Sequence, residues 1–258
     1  MTLPLTTYKP GTPIWVDLGS KDPTAATAFY TQLFGWEAEV LGAEAGGYVF
    51  LRKDGKLVAG LGGLMSDQQP TAWNTYLYVT DADAAVQAVV AAGGQVIAPP
   101  FDVLESGRMA VFMDSAGAAI SVWQPKQMWG GEIFNVPGAL CWNELNSRDL
   151  EASKSFYSKA FGLGVNAHPM GPGMGEYVEW QAEGRTVARA MGMPPGVPAQ
   201  VPSFWLVYFA VADIDATIAR VTELGGTVSM GRADSPQGPL AVFMDPQGGS
   251  FAAIQMNA

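Results

Sequence analysis

Ala110-Val111-Phe112-Met113-Asp114 reappears letter for letter as Ala241-Val242-Phe243-Met244-Asp245. Outward from this pair, the two halves of the chain match block by block. Trp15-Val16-Asp17-Leu18 returns as Trp142-Asn143-Glu144-Leu145, Phe29-Tyr30 as Phe156-Tyr157 and Phe34-Gly35 as Phe161-Gly162, each 127 positions on. Tyr76 returns as Tyr208, Asp81-Ala82-Asp83 as Asp213-Ile214-Asp215 and Gly93-Gly94 as Gly225-Gly226, each 132 positions on. The second copy therefore gains five residues between the two groups of blocks. Offsets that hold so steadily mark a duplicated structural unit.

Each half divides again by its local pattern. Ile14 to Leu18 alternates between two faces, as a strand does. A helix follows, with Asp22 as N-cap, Pro23 at the first helical position and Gly35 as the stop. Two short strands then meet at Asp54-Gly55, a hairpin signal. The next quarter runs strand (Thr75 to Val79), helix (Asp81 to Ala92, ending at Gly93), and strands around Val96, Val111 and Ile120. The last two join at Asp114-Ser115-Ala116-Gly117. The second half repeats this with Asp149, Gly162 and Glu183-Gly184, then Trp205 to Val211, Asp213 to Leu224 and the turn Asp245-Pro246-Gln247-Gly248. The expected fold is α+β, with four βαβββ modules forming two cup-shaped mixed sheets and helices outside. The boundaries read as an N-terminal tail (1–10), a first domain (11–126), a linker (127–137) and a second domain (138–258).

Composition narrows the partners. The chain has 258 residues and a net charge of −10, with 24 acidic against 14 basic side chains. No Lys/Arg cluster is present to track phosphates, so nucleic acid is not an expected partner. No apolar run approaches the length of a bilayer span, and the first eleven residues lack the pattern of a signal peptide. The single cysteine, Cys141, precludes an internal disulfide and suits a reducing compartment. The expectation is a cytoplasmic monomer of two domains, or a weak homodimer. No Walker loop, dinucleotide-binding glycine pattern or nucleophile elbow occurs.

With these blocks in place, the chain resembles the vicinal oxygen chelate superfamily, which includes glyoxalase I, extradiol dioxygenases and bleomycin-resistance proteins. The features that carry the likeness are the helix ending Phe-Tyr-x-x-x-Phe-Gly, the Gly-Gly after the second helix and the Asp-Pro-Gln-Gly turn before the last strand. It extends over essentially the whole chain, one two-module fold per half, and is nearest to two-domain actinobacterial glyoxalase-like proteins. The resemblance implies four metal-ligand positions per cup, usually His, Glu or Gln. Carried over, they fall on Trp15, Gly60, Asn74 and Ser121 in the first half. In the second they fall on Trp142, Arg189, Leu206 and Ala252. Indole, methyl and isobutyl groups offer no lone pair to a divalent cation. One His and one Cys in the whole chain also rule out a two-His-one-carboxylate iron site. No metal and no cofactor is expected.

Strand alternation puts Trp15 and Asp17 on one face, and the ligand position that the resemblance assigns to Trp15 turns that face into the first cup, with Asn74, Tyr76, Tyr78, Ser121 and Trp123 on neighbouring strands. Trp142, Glu144 and Tyr208 do the same in the second. Cys141, one residue out of phase with Trp142, is expected to face the helix as an inert core thiol. Phe29, Tyr30 and Phe34 fall at helical spacing and read as core. His168 lies in a Gly/Pro/Met segment, His168 to Gly175, that reads as irregular: a connector, or a loop over the second cup. A Trp on a strand is as often core as ligand platform. An inward carboxylate needs a partner. For Asp17 and Glu144 that leaves either a structural inter-module hydrogen bond or a role as acid, base or ligand anchor with a raised pKa.

Three functions remain. The first is metal-independent sequestration of a flat hydrophobic or aromatic small molecule. The second is a metal-free isomerase, lyase or hydrolase on a natural-product-like substrate, with Asp17 or Glu144 as base and Tyr76 or Tyr208 as donor. The third is a non-catalytic signalling or scaffold protein with vestigial cups.

Overall fold

The computed structural model describes residues 8–66, 68–171 and 175–257. In the first half, β1 (Pro13–Ser20), α1 (Pro23–Phe34), β2 (Glu37–Val40), β3 (Val49–Lys53) and β4 (Lys56–Gly63) form one module. The next is β5 (Ala72–Tyr78), α2 (Ala82–Ala91), β6 (Gln95–Val103), β7 (Gly107–Met113) and β8 (Ala119–Pro125). The second half gives β9 (Leu140–Ser147), α3 (Leu150–Phe161), β10 (Gly164–Pro169), β11 (Glu176–Ala182) and β12 (Arg185–Gly192). Its last module is β13 (Phe204–Ala210), α4 (Ile214–Glu223), β14 (Thr227–Ala233), β15 (Leu240–Met244) and β16 (Ser250–Ile254). Among the described residues, no helix is long and apolar enough to cross a membrane.

Local chemistry sets these boundaries. Asp22 accepts the Ala25 N–H at 3.0 Å and Asp149 accepts the Ala152 N–H at 2.9 Å, each satisfying a helix-start donor. Gly35 and Gly162 close the two helices at φ 68° and 67°, a left-handed geometry that a side chain would oppose. The hairpins at Asp54-Gly55 and Glu183-Gly184 have positive φ at both central residues, the twist that suits a two-residue turn.

Each half folds into one eight-stranded sheet, ordered β2-β3-β4-β1-β5-β8-β7-β6 and β10-β11-β12-β9-β13-β16-β15-β14. The two modules of a half therefore meet along the antiparallel pairs β1·β5 and β9·β13. The helix-bearing faces of the two sheets turn toward each other. One core joins Val16, Tyr30 and Phe34 of the first module to Phe209, Phe243 and Phe251 of the last. The other joins Phe112 and Ile120 of the second module to Phe156, Tyr157 and Trp180 of the third. The opposite faces are the cups, lined by smaller clusters around Trp15, Tyr76 and Trp123 and around Leu206, Tyr208 and Ile254.

Two expectations need correction. His168 is not in an irregular segment: it closes β10, paired with Tyr177 of β11, and its ring stacks on that phenol with centroids 5.7 Å apart. Gly164 and Pro169 bracket the strand and mask its short alternation; Pro172 to Met174, in the same segment, lie outside the described residues. Cys141 does not face the helix. A bulge between Tyr208 and Phe209 shifts the β9·β13 register, so Cys141 packs with Trp142 on the cup side and donates to the Tyr208 carbonyl at 3.3 Å. Burial there pushes its thiol up to about 12. Of the expected tail, residues 1–7 lie outside the described residues, and Tyr8 packs edge-on against Phe134 at 6.1 Å.

Candidate functional site

The first cup is organised by one carboxylate. Asp17 projects from the middle of β1 and is only 8% exposed. Its Oδ1 accepts the Asn74 amide at 2.8 Å, and its Oδ2 accepts the Tyr48 and Tyr76 hydroxyls, each at 2.9 Å. The Trp15 indole N–H reaches the Tyr48 oxygen at 3.3 Å, adding a fourth donor behind the three that converge on Asp17. Register explains the convergence, because Asp17 stands opposite Gly60 on one side and Asn74 on the other. Burial lifts the Asp17 carboxyl above its ordinary range, and the Asn74, Tyr76 and Tyr48 hydrogen bonds partly offset that. The Tyr48 and Tyr76 hydroxyls are held well above theirs, by burial first and the Asp17 charge second.

Tyr48 reaches Asp17 because Gly60 has no side chain. A Cβ at Gly60 would collide with the phenol hydroxyl and ring, and one at Gly62 would touch the ring at 3.0 Å. Beyond the Asp17 network lies a cavity of about 300 Å³. Its walls are largely apolar: Trp15, Phe50, Met109, Trp123 and Met128 among them, with Phe101 and Leu104 at the rim. Leu104 is 52% exposed and has φ 48°, a left-handed conformation that a branched apolar residue seldom adopts. Ser106, Glu44 and Asp102 supply the polar edge.

The other expected residues fall around this cavity in graded fashion. Trp123 lines it, with its N–H donated to the Met128 carbonyl at 2.8 Å. Tyr76 lines it and meets Trp123 edge-on at 6.4 Å. Asn74 stands behind Asp17 as a positioning residue, and Ser121 lies against the Tyr76 hydroxyl. Tyr78 packs on the margin of the cluster, tilted against Trp129 at 6.0 Å. The sequence reading missed Tyr48, Phe50, Met109 and Met128. Tyr48 had a signal: it returns as Tyr177 at an offset of 129, the same as Asp54-Gly55 to Glu183-Gly184.

The second cup keeps the frame and changes the filling. Tyr208 donates to Glu144 Oε1 at 2.9 Å, as Tyr76 does to Asp17. Arg189 occupies the place of Gly60, directly opposite Glu144. Its guanidinium lies 4.7 Å from the Trp142 ring and 4.8 Å from the Tyr177 ring. Tyr177 therefore turns its hydroxyl to Glu179 at 3.0 Å rather than to Glu144. Burial raises the Glu144 carboxyl, while the Tyr208 hydrogen bond and the Arg189 charge pull it back.

The β-ladder also fixes the four positions at which the resemblance implies metal ligands. Tyr76 faces Ser121 as Asp17 faces Gly60, and Tyr208 faces Ala252 as Glu144 faces Arg189. Those places hold Trp15, Gly60, Asn74 and Ser121, then Trp142, Arg189, Leu206 and Ala252. Tyr48 covers Gly60, and Asn74 is already spent on Asp17. This donor set does not fit a divalent transition metal.

Four βαβββ modules, paired into two back-to-back cups, define a duplicated double-cup protein. The chain belongs to the Glyoxalase/Bleomycin resistance protein/Dioxygenase superfamily, whose family model matches residues 13–122 and 140–252. It is 40% identical to the anthracycline biosynthesis protein DnrV of Streptomyces peucetius, covering 98% of this chain and 96% of that one. It is 39% identical to the putative glyoxylase CFP32 of Mycobacterium bovis, covering 96% of each. A Mn(II)-bound glyoxalase from Novosphingobium aromaticivorans shares the fold at TM-score 0.64 and 16% identity, over 97% of this chain and 85% of that one. The 2,3-dioxygenase LapB of Pseudomonas sp. KL28 does so at TM-score 0.64 and 13% identity, over 97% and 93%.

Proposed function

We propose that the protein is a metal-independent binding protein that takes a flat, hydrophobic, aromatic small molecule into its first cup. The observation that carries this reading is the state of Asp17. Both of its oxygens are engaged by Tyr48, Asn74 and Tyr76, so the carboxylate fixes the walls of the cavity rather than facing it with a free base. What remains toward the cavity is ring and thioether surface, suited to stacking and adaptive apolar contact. The exposed Phe101 and Leu104 extend that surface to the rim, and Glu44 suits a cationic or hydroxylated arm. The likeness to a protein named for anthracycline biosynthesis supports a fused-ring ligand.

The test is a fluorescence titration with an anthracycline, with product analysis and elemental analysis of the purified protein. Saturable quenching with the ligand recovered unchanged, and no stoichiometric metal before or after incubation with zinc, nickel, cobalt or iron, is the expected result. Near one equivalent of metal per cup, lost on chelation together with binding, would overturn it. A second reading, metal-free acid–base catalysis, is favoured at Glu144, where only Oε1 is engaged and Tyr208 stands by as donor. Turnover of the bound compound that is abolished in Glu144→Gln would establish that reading instead.

A further inference from the structure

We propose that the second cup is a separate recognition site for a ligand bearing two adjacent oxygen acceptors, gripped by Arg189. The observation is a cluster of buried donors without acceptors. Among the described residues, Trp142 Nε1, Asn146 Nδ2 and Arg189 Nε are all buried with no hydrogen-bond partner. The other two such atoms, Trp180 Nε1 and Gln247 Oε1, are not cup groups. Trp142 and Asn146 alternate with Glu144 along one face of β9, and Arg189 stands opposite Glu144 on β12. The donors therefore share one site.

Their first-cup counterparts show that the cluster is not a property of the fold. Trp15 donates to Tyr48, and the places of Asn146 and Arg189 are held by Gly19 and Gly60. The second copy has replaced two glycines by donors and left all three N–H groups unanswered. An orphaned buried donor is destabilising, so three in one place point to acceptors brought by a ligand.

The geometry specifies their arrangement. The guanidinium carbon lies over the Trp142 and Tyr177 rings, and the N–H groups of a planar guanidinium point outward along its edge. A planar fork of this kind meets two oxygens on one ligand edge in parallel hydrogen bonds. Asn146 lies beside Glu144 and eases its carboxyl down, but its Nδ2 lacks a hydrogen bond of acceptable geometry and is free to serve a further acceptor. Two ligand groups present such paired oxygens: a carboxylate and an ortho-hydroxyketone. The second suits a cup in which Arg189 already faces the Glu144 carboxylate, because it adds no charge.

Calorimetric titration with naphthoate, ortho-hydroxyacetonaphthone and plain naphthalene separates these sources, using wild type, Arg189→Met and Asn146→Leu. At least one oxygenated probe should bind wild type more tightly than naphthalene and lose about tenfold or more in Arg189→Met. Without ligand, both variants should melt at or above the wild-type temperature, since each removes an orphaned donor. Three outcomes would overturn the proposal: oxygenated probes no better than naphthalene, unchanged affinity in both variants, or lowered melting of both variants with affinity intact. Naphthalene lacks acceptors and reports the first cup, so its failure to bind would count against that reading alone.

Discussion

The Tyr30 hydroxyl donates to Asp245 Oδ2 at 2.8 Å, although the two residues are 215 positions apart in the chain. Tyr157 makes the same bond to Asp114 at 3.0 Å, so the halves are tied by a reciprocal pair. Each aspartate closes the five-residue segment that recurs letter for letter. Its Oδ1 holds its own turn, through Ala116 and Ala118 N–H in one half and Gln247 and Gly249 N–H in the other. Its Oδ2 is left for a tyrosine on a helix of the opposite half. Trp73 and Trp205 in turn donate to the two tyrosines at 2.9 and 2.8 Å.

Tyr30→Phe and Tyr157→Phe should therefore each cost about 1–3 kcal/mol, because each leaves a buried carboxylate oxygen and an indole N–H short of a partner. Equilibrium urea unfolding measures this directly. A change in the midpoint near zero for both would mean that water replaces the hydroxyl and the tie is not structural.

This tie also marks where the sequence stops being informative. The repeat, the helix caps and the hairpin turns are local, and residues such as Asp22, Gly35 and Gly55 state them openly. Alternation put Trp15 and Asp17 on one face, since period two survives without knowledge of neighbours, and the resemblance's ligand position at Trp15 made that face the cup. Tyr48 escaped because it lies one residue before β3, and its reach depends on an absent side chain at Gly60 on another strand. Cys141 went wrong through a bulge, which alternation cannot register. Tyr30 read as core and is core, but the acceptor it meets lies in another module.

Asp17 should make stability fall as pH rises from the unfolded carboxylate value of about 3.9 through its raised folded value. Its folded pKa is raised by burial above an unfolded value of about 3.9. Between the two values the native state holds more protons than the unfolded state, so stability declines with increasing pH across that window. Above the folded value the contribution is fully lost, and below the unfolded value it is fully present. Asp17→Asn removes the titration and should flatten the slope, gaining relative to wild type above the folded pKa. Thermal melting across a pH series checks the sign; a steeper slope in the variant would contradict it.

Gly60→Ala is expected to close the first cup while leaving the fold standing. The added Cβ has no room beneath Tyr48, so the ring must swing away and release its hydrogen bond to Asp17. Ligand affinity should fall by about tenfold, matching a lost hydrogen bond to a charged group. Tyr48→Phe in the Gly60 background isolates the hydrogen bond from the displacement. An equal loss in the two variants assigns the effect to the bond, and a larger loss in Gly60→Ala assigns the remainder to the ring's position. Unchanged affinity in both would place the ligand outside this cavity.

The two tryptophans at corresponding positions should separate the cups by ligand chemistry. Trp15 is 3% exposed, lines the apolar cavity and meets Phe50 edge-on at 6.3 Å. Losing its stacking contact is worth about 0.5–1.5 kcal/mol beyond buried area, or roughly three- to tenfold in affinity. The Arg189 guanidinium instead lies over the Trp142 ring. Trp15→Ala should therefore weaken a plain aromatic ligand more than Trp142→Ala does. Trp142→Ala should act on oxygenated probes, by removing the ring over which Arg189 lies. Both truncations leave a cavity that costs ~3–5 kcal/mol, so each affinity is compared at a temperature where the variant is fully folded. Trp15→Phe keeps a ring in the wall and should recover part of the lost affinity. If both alanine variants unfold earlier yet bind every probe as tightly as wild type, the tryptophans are core and the ligand lies elsewhere.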